Sequence, residues 1–326
     1  MSGFFVGANA VKLEQLYNLI GPDMQAVDAV IRTRLHSDVA LVRQVAEYII
    51  QSGGKRLRPA LVLLAAGALG YRGAHHHELA AVVEFIHTAT LLHDDVVDES
   101  DLRRGRKTAN AMFGNAASVL VGDFLYSRAF QMMVGVGNMR VMQVLSSATN
   151  IIAEGEVLQL MNCHDADVDE ARYLQVIRYK TAKLFEAASQ LGALLGKVDS
   201  ATEQALAAYG MHLGTAFQLI DDLLDYSSDG ERLGKNVGDD LNEGKPTLPL
   251  LHAMRNGTAD QAKMIREAIE QGNGRHLLEP VLETMAICGS LEWTRQRAEE
   301  EADKAIEALQ VIPDSPWREA LIGLAH

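Results

Sequence analysis

The segment Leu92-His93-Asp94-Asp95-Val96-Val97-Asp98 returns later in the chain as Leu219-Ile220-Asp221-Asp222-Leu223-Leu224-Asp225, so two aspartate triplets of the same spacing sit in apolar surroundings. Within each, the first and last carboxylates are four residues apart. On an α-helix that spacing puts them on one face, about 6 Å from each other. A solvated acidic face usually interleaves its carboxylates with Lys or Arg, and neither triplet contains a basic residue other than the adjoining His93. Carboxylate oxygens without Cys or His partners suit Mg²⁺, which keeps waters and is normally shared with substrate phosphates. The chemistry implied is a diphosphate held through Mg²⁺ between two facing helices, with Asp94, Asp98, Asp221 and Asp225 as the metal carboxylates.

An anion in such a site needs local cations, because the chain as a whole repels it: 30 basic and 43 acidic side chains give a net charge of −13. The same balance argues against nucleic acid as a partner. Gly53-Gly54-Lys55-Arg56-Leu57-Arg58-Pro59 places three cations behind two glycines and ahead of a proline, a loop able to wrap an anion and then enter a helix. Cations are unfavourable at a helix start unless an anion joins them, so this mismatch favours function over ordinary solubilising charge. Arg103-Arg104-Gly105 begins five residues after Asp98, within reach of a phosphate bound there, and Arg presents forked donors to phosphate. Lys180-Thr181 opens an apolar stretch, and Phe217-Gln218 precedes Asp221 so that Gln218 shares or adjoins the carboxylate face. His87 lies two helical turns before Asp94, on nearly the same stripe, and should line the same cavity. Taken alone, each of these has a plainer reading as a core His or a solvated charge. Lys235 and Lys245 fall in a Gly- and Asp-rich segment that could close over phosphate as a lid. His75-His76-His77 reads as a surface loop, whose consecutive side chains diverge too much to share a metal.

The elements that must position these residues are helical. Runs Ala40–Ser52, Glu78–Leu92, Ser118–Met133 and Thr202–Leu224 follow a helical period, alternating strand patterns are scarce, and prolines such as Pro22, Pro59, Pro246, Pro280 and Pro313 read as helix edges. An all-α fold is predicted. With 326 residues, 48% hydrophobic content and no linker-like stretch, it is read as one domain over residues 11–326, behind a loose extension, residues 1–10, that plays no part in the site. Two cysteines, Cys163 and Cys288, give no disulfide framework or zinc spacing and read as buried thiols. The most apolar stretch, Pro59–Tyr71, is too short for a bilayer, and the N-terminus lacks a secretory pattern. A soluble, cytoplasmic protein is expected.

Together, Gly54–Pro59, Asp94–Asp98, Arg103-Arg104-Gly105, Lys180-Thr181, Phe217-Gln218 and Asp221–Asp225 resemble, in order and spacing, the trans-isoprenyl diphosphate synthase family, over roughly residues 11–326. The stretches Glu84–Phe130 and Phe217–His252 look most like bacterial members that make long chains, octaprenyl diphosphate for quinone side chains. The resemblance implies a helical bundle around a deep central cavity, a homodimer, and Mg²⁺ ions, two or three per site, held by Asp94, Asp98, Asp221 and Asp225. It implies that Arg103, Lys180, Thr181, Gln218 and Lys235 bind an allylic diphosphate, with Asp94, Asp98, Arg103, Lys180 and Asp221 catalytic. Lys55, Arg58, His87 and Arg104 would bind isopentenyl diphosphate, and Asp95 and Asp222 would act behind the ligating carboxylates.

Product length then follows from geometry. A chain growing away from the metals passes Ala89 and Thr90, ~7.5 and ~6 Å before Asp94 along the helix. Both are small, which weighs against a short-chain farnesyl or geranylgeranyl synthase. Phe130, Met133 and Leu145 are candidates for the floor of the tunnel. A terpene cyclase would not need a second diphosphate pocket, and a non-catalytic regulatory subunit would tolerate eroded aspartates; the intact motifs argue against both. A long polyprenyl product is insoluble, so transient contact with a membrane is expected at release, although no amphipathic anchor stands out.

Overall fold

The computed structural model describes residues 8–51, 53–103, 105–227 and 237–325, with side chains from Leu16 onward. In chain order the helices are α1 (Ala8–Arg34), α2 (Ala40–Gln51), α3 (Leu57–Ala68) and α4 (His75–Val97), followed by a hairpin of β1 (Leu102–Arg103) and β2 (Arg106–Lys107). Then come α5 (Ala109–Phe113), α6 (Asn115–Val136), α7 (Met139–Asn162), α8 (Glu170–Ile177), one π-helical turn at Arg178–Ala182, α9 (Lys183–Gly196) and α10 (Ser200–Asp225). The chain continues through α11 (Asp239–Asn242), α12 (Leu248–Asn256), α13 (Ala259–Gln271), α14 (Leu278–Cys288), α15 (Ser290–Ala308) and α16 (Pro316–Ala325). The all-α expectation holds: the runs Glu78–Leu92, Ser118–Met133 and Thr202–Leu224 each fall inside one helix, and Ala40–Ser52 coincides with α2 up to Gln51, Ser52 lying outside the described residues. Among the described residues no helix is long and apolar enough to cross a membrane.

The described residues group into two compact units. The first comprises residues 1–149, 184–210 and 305–326. Its centre is α3 and α4, which are apolar nearly all round: Pro59 to Ala66 of α3 are all buried, and so are Leu79–Val83, Phe85, Ile86, Ala89 and Leu92 of α4. Helices this apolar need neighbours on every side, and small residues let the neighbours come close. A Cβ added at Gly192 of α9 would lie 2.4 Å from the Ala65 side chain, and one at Gly67 of α3 would lie 2.3 Å from Trp317 of α16. Tyr209, fully buried, donates its hydroxyl proton to the Leu321 carbonyl at 2.7 Å. α6 packs on α4, where the Ser118 hydroxyl donates to the Leu92 carbonyl at 2.9 Å and Gly122 makes room for the His93 ring.

The second unit comprises residues 150–183 and 211–304. One apolar cluster joins Tyr226, Leu241, Leu250, Ile265, Ile269, Val281 and Met285, and another joins Val168, Tyr173, Ile177, Leu219, Leu248 and Leu251. α13 starts on a capping box, with Thr258 and Gln261 each satisfying the other's backbone N–H. Gly244, at φ +68°, sits where a Cβ would strike the His164 ring, so only glycine serves there.

Three local readings need correction. Pro22 lies inside α1, because a long helix packed on its neighbours survives the loss of one N–H. His75-His76-His77 is the first turn of α4 and not a loop; His76 is buried, at 9% exposure. Cys163 and Cys288 form no disulfide but are only partly buried, since each sits at a helix end. Most of the expected N-terminal extension lies outside the described residues, and α1 begins at Ala8.

Candidate active site

In the first unit, the loop before α3 turns through Gly53 at φ +77° and Arg56 at φ +50°. The left-handed Arg56 offers no side-chain cap to α3. The three cations of this loop have separate tasks. Arg56 is structural, bridging Glu84 at 3.0 Å and Asp28 at 3.7 Å. Arg58 brings Nη1 to 3.2 Å from His87 Nε2 and lays its guanidinium 4.5 Å over the Phe185 ring, so the predicted pair from α3 and α4 does meet. Lys55 is exposed, and its carbonyl accepts from the Tyr17 hydroxyl at 2.8 Å.

α4 ends at the first aspartate motif. The Asp98 N–H donates to the Asp94 carbonyl at 2.8 Å, one helical turn back, which sets the two residues at the predicted spacing. Both are half-buried, whereas Asp95 is fully buried and faces the hairpin. There Arg103 of β1 donates to Asp95 Oδ1 from Nε at 2.9 Å and from Nη2 at 2.7 Å. Burial raises the Asp95 pKa, and Arg103 opposes that shift. Arg103 thus reaches back to the central carboxylate of the motif. Arg104 lies outside the described residues. Ala89 is buried, and Thr90 Oγ1 donates to the His87 carbonyl at 2.7 Å. Met133 and Leu145 are fully buried and Phe130 is partly so. A cavity of about 720 Å³ lined by Leu16, Leu19, Pro316, Ala320 and Ile322 includes none of the predicted residues.

In the second unit, the central aspartate of the α10 motif is again buried and held by side chains, here two neutral ones. Tyr173 of α8 donates its hydroxyl to Asp222 Oδ2 at 2.5 Å, and Gln218 Nε2 donates to Oδ1 at 2.7 Å. The Thr181 hydroxyl in turn donates to Gln218 Oε1 at 2.9 Å, which orients that amide. Burial, with Asp240 nearby, pushes the Asp222 carboxyl up to about 8 against the lowering effect of these hydrogen bonds. Burial and the same carboxylate push the Tyr173 hydroxyl well above its ordinary value, so the tyrosine stays a donor. Asp225 is buried, and its Oδ2 accepts from the Asp240 N–H at 3.1 Å; Asp221 is half-buried.

Lys180 and Thr181 lie in the π-helical turn, a distortion frequent at functional sites. Gly155 faces it so closely that a Cβ there would lie 2.6 Å from the Lys180 backbone nitrogen. Lys180 Nζ pairs with Glu156 at 2.7 Å. Tyr173, Glu156 and Gly155 escaped the reading of the sequence, where a buried Tyr or a helical Gly carries no signal without its distant partner. Lys235 lies outside the described residues, as does most of the proposed lid; Lys245 pairs with Glu243 at 2.6 Å.

A family model described as Polyprenyl synthetase matches residues 39–285, which contain both aspartate motifs. The chain belongs to the polyprenyl synthetase family. It is 67% identical to octaprenyl diphosphate synthase of Escherichia coli (strain K12) over 316 residues, 97% of this chain and 98% of that protein. It is 48% identical to an all-trans-nonaprenyl-diphosphate synthase of Rhodobacter capsulatus over 94% of each chain. Among solved structures, a polyprenyl synthase from Caulobacter crescentus CB15, complexed with calcium and isoprenyl diphosphate, superposes with a TM-score of 0.93 at 48% identity, covering 96% of each chain. A decaprenyl diphosphate synthase from Rhodobacter capsulatus superposes with a TM-score of 0.92 at 48% identity, covering 96% of this chain and 97% of that one. The protein is therefore a prenyltransferase of the trans-polyprenyl diphosphate synthase class, and the family depends on metal through its acidic residues. Allylic and isopentenyl diphosphates are the substrates of that chemistry.

Proposed function

We propose that the chain makes octaprenyl diphosphate by adding isopentenyl diphosphate units, head to tail, to an allylic diphosphate such as farnesyl diphosphate. The observation that carries this reading is the repeated motif: in both copies the central aspartate is buried and tied to side chains, Asp95 to Arg103 and Asp222 to Tyr173 and Gln218. Each tie fixes its helix end and so sets the direction in which the outer carboxylates of that motif leave the helix. The donor set, Asp94, Asp98, Asp221 and Asp225, is all oxygen, which fits a hard cation such as Mg²⁺, two or three per site.

Bound Mg²⁺ supplies positive charge to the leaving diphosphate, where the barrier to forming an allylic cation is largest. Arg103, Lys180 and Lys235 hold the allylic diphosphate, with Thr181 and Gln218 ordering the carboxylate beneath it. Lys55, Arg58, His87 and Arg104 hold isopentenyl diphosphate; the Arg58–His87 contact and the Phe185 face under Arg58 fix that guanidinium in place. The allylic C–O bond breaks, the isopentenyl double bond attacks, and the proton released goes to the departing diphosphate. Apolar walls around Ala89 exclude water, which would quench the cation to an alcohol. The small Ala89 and Thr90 keep the tunnel open past short products.

The enzyme is proposed to act in the cytoplasm as a homodimer, touching the membrane transiently at release. Exposed Leu120, Val134 and Met139 in the first unit are apolar side chains available to a partner copy. Incubation with farnesyl diphosphate, isopentenyl diphosphate and Mg²⁺, followed by chromatography of the dephosphorylated products, tests the assignment. Octaprenol is the expected product; geranylgeraniol alone, or no incorporation, would overturn it.

A further inference from the structure

The corrected histidine run supplies a second possible metal centre, distant in sequence from both aspartate motifs. Because His75-His76-His77 opens α4 in place of a loop, two consecutive rings converge on one carboxylate of α1. His77 Nε2 lies 2.8 Å and His76 Nε2 3.4 Å from the same oxygen, Asp23 Oδ1. The two rings lie 3.9 Å apart between centroids, and Tyr71 packs edge-on against His76 at 5.4 Å. One ligand atom from each of Asp23, His76 and His77 can be chosen so that all lie within 4.8 Å of one another.

We propose that Asp23, His76 and His77 form a binding site for a borderline divalent cation, Zn²⁺ or its analogue Co²⁺, that clamps α1 to the start of α4. Two imidazoles and a carboxylate match the donor preference of zinc and not that of Mg²⁺. Metal–ligand distances of about 2.0–2.1 Å require donors roughly 3.3 Å apart in a tetrahedron, close to the 2.8 and 3.4 Å that separate the two rings from Asp23 Oδ1, with water completing the shell on the exposed side of Asp23. A single hydrogen bond to Asp23 Oδ1 engages one ring well, His77 at 2.8 Å, and leaves His76 at 3.4 Å. A cation engages all three ligands at once.

The test uses the full chain without a histidine tag, stripped by chelator and kept in excess Mg²⁺ so that the aspartate motifs are occupied. Titration with Co²⁺ should give the visible absorption of a tetrahedral ion at one equivalent per chain, and Zn²⁺ should displace it. Because His76 is buried, the informative variants are D23N and H77Q, each expected to weaken Co²⁺ binding by at least about tenfold and to abolish the rise in Tm that Zn²⁺ gives the parent. H75Q and D94N should keep the spectrum. Absence of the spectrum in the parent, its persistence in both D23N and H77Q, or its loss in D94N would overturn the proposal; the last would place the ion at the prenyl-transfer site. Octaprenol formation in Mg²⁺ is read separately, so failure of one assignment leaves the other standing.

Discussion

The two aspartate motifs are spelled alike yet built differently. At the end of α4 the buried central carboxylate, Asp95, is held by a fixed cation, Arg103, delivered by a hairpin only eight residues away. At the end of α10 the equivalent Asp222 is held by neutral donors, Tyr173 from α8 and Gln218 from its own helix. At Asp95 the Arg103 cation opposes the effect of burial, whereas at Asp222 burial and the nearby Asp240 charge outweigh the two neutral donors and push the carboxyl up to about 8. The same spacing can therefore present the proposed metal carboxylates on two electrostatic foundations, one anchored by charge and one by hydrogen bonding.

The largest effects should come from the residues the motifs share. Asp94→Asn and Asp221→Asn should each lower turnover by about a thousandfold or more with circular dichroism unchanged; near-normal turnover in either would break the equivalence of the motifs. The foundations should then separate. Arg103→Ala leaves a buried carboxylate without its cation and should cost about 3–5 kcal/mol of stability in chemical denaturation. Tyr173→Phe removes one neutral donor and should cost roughly 1–2 kcal/mol. Equal losses would erase the distinction.

Partner charge can also be tested outside the two aspartate motifs, at Glu301, another buried acid. Burial raises its pKa, but His212 at 2.6 Å and Lys304 at 2.8 Å outweigh that and hold it at about 2. A depressed folded-state pKa contributes stability above the unfolded value near 4.5, and that stability is lost as pH falls from there toward 2. Glu301→Gln should flatten this acid-side slope in urea unfolding at a series of pH values, and an unchanged slope would remove the contribution of the cationic partners. The smallest effect on rate is expected from Ala89→Tyr, which should leave prenyl transfer working but shift product to short chains, read by chromatography; unchanged long product would show that the chain does not pass this point of α4.

Much of this was legible in the sequence because the relevant information is local. Helical periodicity located α2, α4, α6 and α10, and spacing alone placed Asp94 and Asp98 one turn apart and Gln218 on the carboxylate side of α10. Partnerships across the chain were not legible: Tyr173 lies 49 residues from Asp222, and Glu156 meets Lys180 in a π-helical turn that packs against Gly155. The histidine run misled because Gly73-Ala74 before it looks like loop, while the apolar face from His76 onward decides that α4 begins there. Arg104 and Lys235, outside the described residues, rest on the sequence pattern.

The central claim is that both motifs serve one diphosphate through divalent cations. Calorimetric titration of a non-cleavable allylic thiolodiphosphate, with and without Mg²⁺, addresses it on the parent, the D94N/D98N pair and the D221N/D225N pair. The account predicts Mg²⁺-dependent binding in the parent and its loss in both pairs; undiminished Mg²⁺-dependent binding in either pair would contradict it.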